Sequence, residues 1–136
     1  MTPRRADAAE RMPAFMRLFA LRGAIQVDHN DAEEILGATF DLMRELMGRN
    51  GLDPEDLVSC LFTLTEDLDA EFPALAARRM GLNAVPLMCA REVPVPGSLP
   101  RVIRVLVHYY AVEGHVSRHV YLRGARVLRT DLEAAQ

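Results

Sequence analysis

Arg104 is the residue most in need of an explanation. It lies among Val102, Ile103, Val105, Leu106 and Val107, a β-branched and apolar run. A charge inside such a run requires a partner or a ligand, because taking an unpaired ion out of water is costly. Glu92 is the candidate partner. Alternatively, Arg104 and Glu92 both face a charged, hydroxylated small molecule, and composition does not choose between the two. Cys89 and Arg91 precede Glu92 on the same apparent strand, with Leu87, Met88 and Ala90 between and before them. Arg22, between Leu21 and Gly23, is a second strand arginine. His119 and Tyr121 fall on one face of a short extended piece, with Arg118, Val120 and Leu122 on the other. His119 has no acid or nucleophile at a recognisable spacing and reads as structural. Arg78 and Arg79 end a short helix, where the dipole favours cations without any ligand.

The elements that position these residues follow from pattern. Residues 1–15 read as an extension before a single domain over 16–129, and 130–136 as a mobile tail. A strand over 16–27 is interrupted by Arg22-Gly23, which suggests a bulge or a close backbone approach. Asn30-Asp31 caps a helix running to about Arg49, with Glu34 placed as in a capping box. Its apolar stripe is Ile35, Leu36, Thr39, Phe40, Leu42, Met43, Leu46 and Met47, and Asn50-Gly51 supplies the left-handed stop. Asp53-Pro54-Glu55-Asp56 is a turn or short helical start. A buried strand spans 57–65, with Cys60 as core. Pro73 opens a second helix that Gly81 closes. A strand over 85–93, the Pro- and Gly-rich loop 94–100, a strand over 102–111 and an extended piece at 118–122 complete the series, and 125–128 forms a turn of helix. The loop cannot continue a sheet, since proline lacks a ladder donor. This is an α+β domain with a mixed β-sheet, one long helix and short helices. Those helices cannot cover both sheet faces, so the other face is expected to be buried against copies of the chain.

Composition narrows the chemistry. The 136 residues suit one core, and a net charge of −3 gives no reason to expect nucleic acid or an anionic membrane as partner. No apolar run approaches a membrane span or a signal peptide core. Cys60 and Cys89 form no zinc spacing, which leaves a reduced, cytoplasmic protein as the expectation. All 16 basic side chains are arginine. The absence of lysine excludes Schiff-base chemistry, a lysine-anchored pyridoxal cofactor and a P-loop lysine.

Several separated stretches together resemble the AroH class of monofunctional chorismate mutases: LRGAIQV, DAEEIL, FTLTEDLDAEFPALAARRMG, VPLMCAREVPVPGSLPRVIRVL and RHVYLRGARVLRTDL. The resemblance runs from about Leu21 to Leu132. It implies a homotrimer with sheets packed around a central axis and active sites in clefts between subunits. It also implies the cofactor-free, metal-free conversion of chorismate to prephenate, on the way to phenylalanine and tyrosine. The implied catalytic residues are Arg104, Glu92, Arg22, Tyr121 and Cys89. Phe72, Arg78, Leu87, Met88, Ala90, Arg91, Leu128 and Arg129 join them in binding substrate. In that scheme Arg104 donates to the ether oxygen, Arg22 and Tyr121 hold the enolpyruvyl carboxylate, and Glu92 and Cys89 meet the ring hydroxyl. Phe72 and Leu128 form apolar walls, and Arg129 covers the dianion. Two positions depart from the family pattern. Leu75 stands where a basic residue is frequent near the site mouth, and Thr130 replaces the proline usual after the tail arginine. The alternative is a trimeric small-molecule-binding protein without mutase activity, as in the similar Rid-type trimers. Their motifs differ, and the Glu92-to-Arg104 spacing with its Pro-Gly loop argues against them.

Overall fold

Five strands pair into one mixed sheet in the order β3-β2-β4-β1-β5. They are β1 (Met16–Gln26), β2 (Leu57–Leu64), β3 (Leu87–Arg91), β4 (Val102–Val112) and β5 (Val120–Leu122). The computed structural model describes residues 15–129, so the expectations for the extension before Phe15 and for the tail 130–136 lie outside the described residues. β4 is central, pairing antiparallel with β1 along the whole of both strands and with β2 on its other side. β3 joins β2 and β5 joins β1 in parallel.

Helix α1 (Ala32–Asn50) and helix α2 (Pro73–Arg79) pack on one face of this sheet. That face carries Leu21, Ile25, Phe62, Ile103, Val105, Val107 and Tyr109, all buried. Alternation along the strands puts Leu18, Leu61, Leu106 and Tyr110 on the opposite face, which α1 and α2 leave open; the helical turns over 123–129 pack only on its Ala24 and Val102 end. Gly23 explains how α1 lies so close. A Cβ there would stand 3.1 Å from the Cδ1 atoms of Leu42 and Leu46 and 3.3 Å from Val105 Cγ1. The register of β1 against β4 is unbroken through this point, so Gly23 marks close approach and not a bulge.

The helix ends follow local chemistry. Asp31 Oδ2 accepts from the Glu34 N–H at 3.0 Å. The reciprocal arm of the box is absent: the Glu34 carboxylate takes the backbone N–H groups of Asp28 and His29 instead. Gly51 adopts φ 61° and stops α1. Phe40 does not belong to the core stripe. It is exposed, with the Arg44 guanidinium 5.5 Å over its ring. The buried Asn50 side chain donates to Leu46 O at 2.8 Å and to Arg118 O at 3.0 Å, and accepts from Arg118 N at 2.8 Å. It therefore ties the start of the β5 segment to the end of α1. The strand expected over 85–93 is shorter than its composition suggests. The ladder stops at Arg91, because the Pro-rich loop that follows cannot pair, although Glu92 N still donates to Leu64 O at 2.9 Å.

Candidate active site

Strand registry assembles a polar patch on the face opposite α1 and α2. One cross-strand row reads Ala90, Thr63, Arg104, Ala24, Tyr121. The adjacent row holds Met88, Leu61, Leu106 and Arg22. Arg22, Arg104, Tyr121 and Thr63 line a cavity of about 280 Å³ floored by Gly23, Ala24, Leu61 and Leu106. Small and apolar floor residues leave the guanidiniums and the phenol as the groups that can hold an anion.

Arg104 does have a partner. Its Nε lies 2.6 Å from Glu92 Oε1, with the two side chains 39% and 18% exposed. The N–H is not aimed along this contact, so it is an ion pair without a well-formed hydrogen bond, and the second carboxylate oxygen has no hydrogen-bond partner. The pairing uses the Nε edge. Among the described residues neither Nη group donates a hydrogen bond, which leaves the two-pronged end of the guanidinium available to a carboxylate or ether oxygen. The residues that fix the start of β4 were not singled out from sequence. Arg101 takes φ 53°, its N–H donates to both oxygens of Asp67 at 3.1 and 3.0 Å, and its Nε donates to Val27 O at 3.0 Å. Thr65 Oγ1 accepts from Val102 N at 3.0 Å and donates to Asp67 Oδ1. The Asp67 carboxylate thus clamps the turn that sets the height of Arg104. An Asp at this spacing from a Pro-Arg pair was the available, weak signal. Arg104 and Glu92 also border a second hollow of about 500 Å³ under the loop 93–100.

At the β5 side, Arg22 N donates to His119 Nδ1 at 3.0 Å. An accepting Nδ1 is unprotonated, and desolvation together with the Arg22 charge lowers the His119 pKa. His119 therefore locks β5, with Tyr121, beside Arg22. Leu128 packs with Tyr121 and Leu99 around Ala24, Val102 and Ala125. Arg129 is exposed at the last described position.

The remaining expected residues are not gathered there within one chain. Cys89 pairs with the buried Phe62, so alternation turns it, Leu87 and Arg91 away from Arg104, and Leu87 and Cys89 pack against the helix-covered core. Arg91 Nη1 donates to Glu66 O at 3.0 Å. Met88 and Ala90 share the face of Arg104, but Met88 lies three strand spacings from Arg22, roughly 14 Å at about 4.8 Å per strand. Phe72 and Arg78 stand exposed at the two ends of α2. Phe72 and Met88 are each 66% exposed, unusual for large apolar side chains with no covering element.

The class is an α+β domain with Arg22, Arg104 and Tyr121 around one cavity on the sheet face opposite its two main helices. The family model for chorismate mutase type I matches residues 18–132. The chain is 52% identical to the chorismate mutase AroH of Thermus thermophilus over 118 residues, which is 85% of this chain and 97% of that protein. It is 40% identical to the chorismate mutase AroH of Bacillus subtilis over 119 residues, 86% of this chain and 94% of that one. A solved chorismate mutase from Clostridium thermocellum superposes with a TM-score of 0.74 at 46% identity, covering 80% of this chain and 98% of its own. The chain belongs to the chorismate mutase type I family.

Proposed function

We propose that this protein catalyses the rearrangement of chorismate to prephenate, an isomerase step in aromatic amino acid biosynthesis. The observation that carries the reading is the set Arg22, Arg104 and Tyr121 around one cavity, with Glu92 holding the Nε edge of Arg104. The reaction is pericyclic. The ether C–O bond breaks as a C–C bond forms within one molecule, so no nucleophile or general base is needed. Two tasks remain for the protein. It must hold a flexible dianion in the compact geometry in which the two ends meet. It must also stabilise negative charge as it grows on the ether oxygen.

Arg104 performs the second task. A cation whose interaction strengthens as charge develops lowers the barrier and does more than tighten ground-state binding. Arg22 and Tyr121 hold the enolpyruvyl carboxylate, Glu92 accepts from the ring hydroxyl, and Leu128 walls the site beside Tyr121. Arg129 covers the dianion.

A neighbouring copy completes the cleft in a homotrimer. Three features support this. Helices α1 and α2 leave the sheet face around the cavity open, with the turns over 123–129 at one end of it only, Phe72 and Met88 are exposed, and Phe72, Arg78, Leu87, Cys89 and Arg91 do not share the cavity of their own chain. A copy presenting α2 and β3 would bring Phe72, Arg78 and the segment from Leu87 to Arg91 against Arg104. Among the described residues no helix is long and apolar enough to cross a membrane. Cys60 and Cys89 are free thiols, in keeping with a cytoplasmic enzyme. The test is direct: purified protein is mixed with chorismate and its ultraviolet absorbance is followed. Steady loss of absorbance with prephenate as product is expected, and absence of turnover would leave a binding protein only.

A further inference from the structure

The ion pair of the cleft bridges three strands. Arg104 is on β4, Glu92 follows the end of β3, and β2 lies between them. Two threonines lie at this level: Thr63, the registry partner of both Arg104 and Ala90, and Thr65, which follows β2 and donates its N–H to Val102 O. Thr65 is fully employed: its hydroxyl donates to Asp67 Oδ1 and accepts from Val102 N. Thr63 is not. Its Oγ1 is shielded from solvent and has no hydrogen-bond partner among the described residues. The atoms sharing this condition are Glu92 Oε2 and Arg104 Nε.

These three atoms sit around one ion pair, Thr63 being the registry partner of Arg104, and they are complementary. A carboxylate oxygen only accepts, a guanidinium N–H only donates, and a hydroxyl does both. Buried polar groups in native proteins are paired, so Thr63 Oγ1 and Glu92 Oε2 without a hydrogen bond, beside an Arg104 Nε held only by its ion pair to Glu92 Oε1, call for a reason. Hydrogen bonds at catalytic sites are frequently long without substrate and tighten when it binds. We propose that Thr63 is a positioning residue for this reaction: its hydroxyl donates to Glu92 Oε2 once a bound dianion draws the Arg104 guanidinium toward itself. The carboxylate then stays at a fixed height while its arginine partner turns to the substrate, and Arg104 remains aimed at the breaking bond. This rests on the reading that Arg104 and Glu92 form the active site.

The test compares Thr63→Val, which keeps the shape and removes the hydroxyl, with Thr63→Ser, which keeps the hydroxyl. Turnover of chorismate and thermal unfolding of the full chain are both recorded, with Arg104→Ala alongside. For Thr63→Val, kcat is expected to fall about tenfold, the worth of one hydrogen bond in the transition state, with KM within about twofold. Its Tm should not fall, because valine removes a buried hydroxyl that the resting fold leaves unpaired. Thr63→Ser should recover most of kcat. Wild-type kcat in Thr63→Val, or equal losses in the valine and serine variants, would overturn the assignment while leaving the site intact. A Tm loss that parallels the activity loss would also overturn it, making Thr63 a packing residue. Full turnover by Arg104→Ala would instead remove the site reading itself, and the Thr63 assignment with it.

Discussion

Replacing Arg104 by alanine separates catalysis from folding most sharply. A unit charge about 3 Å from the guanidinium, at an effective dielectric constant of about 20, interacts by roughly 5 kcal/mol. If about half a charge accumulates on the ether oxygen, the differential stabilisation is roughly 2–3 kcal/mol, or about 30- to 150-fold in rate. Loss of an oxyanion donor elsewhere costs about 100- to 1000-fold, and Arg104 also orients the substrate, so the upper part of that range is expected in kcat. The fold should suffer far less. The Arg104–Glu92 pair is 39% and 18% exposed, and partly solvated ion pairs contribute on the order of 1 kcal/mol. Chorismate consumption gives kcat and KM, circular dichroism gives Tm, and sizing gives the assembly state. Arg104→Ala with turnover within about fivefold of wild type would refute the electrostatic argument. A variant that dissociates or unfolds would show that Arg104 is structural.

Gly23→Ala should destabilise the protein by about 1–2 kcal/mol in urea unfolding, since the new methyl must push on Leu42, Leu46 and Val105 in a filled core. An unchanged midpoint would mean α1 does not seat as closely as described. His119 has its pKa lowered from 6.5, by desolvation first and the Arg22 charge second. The unfolded chain then binds the proton more readily, so this contribution is complete above pH 6.5 and is lost as pH falls through the lower folded value. Tm should decline as the buffer is taken from neutral into the acid range, and His119→Gln should flatten the first part of that decline; an identical slope in the variant would contradict the assignment. Burial pushes the Cys60 thiol up to about 11, so iodoacetamide near neutral pH should leave it unmodified in the native protein and label it after denaturation, as read by peptide mass. Rapid native labelling of Cys60 would place it outside the core.

Local chemistry made much of the fold legible. Asp31 and Gly51 bracket α1 as their types suggest, Pro73 opens α2, and Gly23 signals a close approach of helix to sheet. Strand order was not legible, because no residue announces which strand it will neighbour, and pairing between distant segments is settled only by packing. The exposed Phe40 shows the limit of a stripe read by type, since a flanking aromatic on α1 can lie under Arg44 instead of in the core. The need for a partner to Arg104 was readable from burial alone, and Glu92 was the correct candidate for the ion pair. The clamp by Asp67, Thr65 and Arg101 was hidden, because turn residues of this kind are common and only the left-handed Arg101 backbone reveals their joint role. Period-two alternation already separates Cys89 from Glu92. Cys89 on β3 and Glu92 just past its end face opposite ways, so the proposed use of both at one ligand would draw them from two copies.

Mixing two inactive variants tests the shared cleft most directly. Arg104→Ala damages the sheet-face half, and Arg78→Ala damages the α2 half. Co-refolded at equal amounts into random trimers, about a quarter of the interfaces would pair an intact face with an intact α2 from the next copy. The account predicts recovery of roughly that fraction of wild-type turnover, while each variant alone stays nearly inactive. No recovery from mixtures shown to exchange subunits would contradict a site built from two chains.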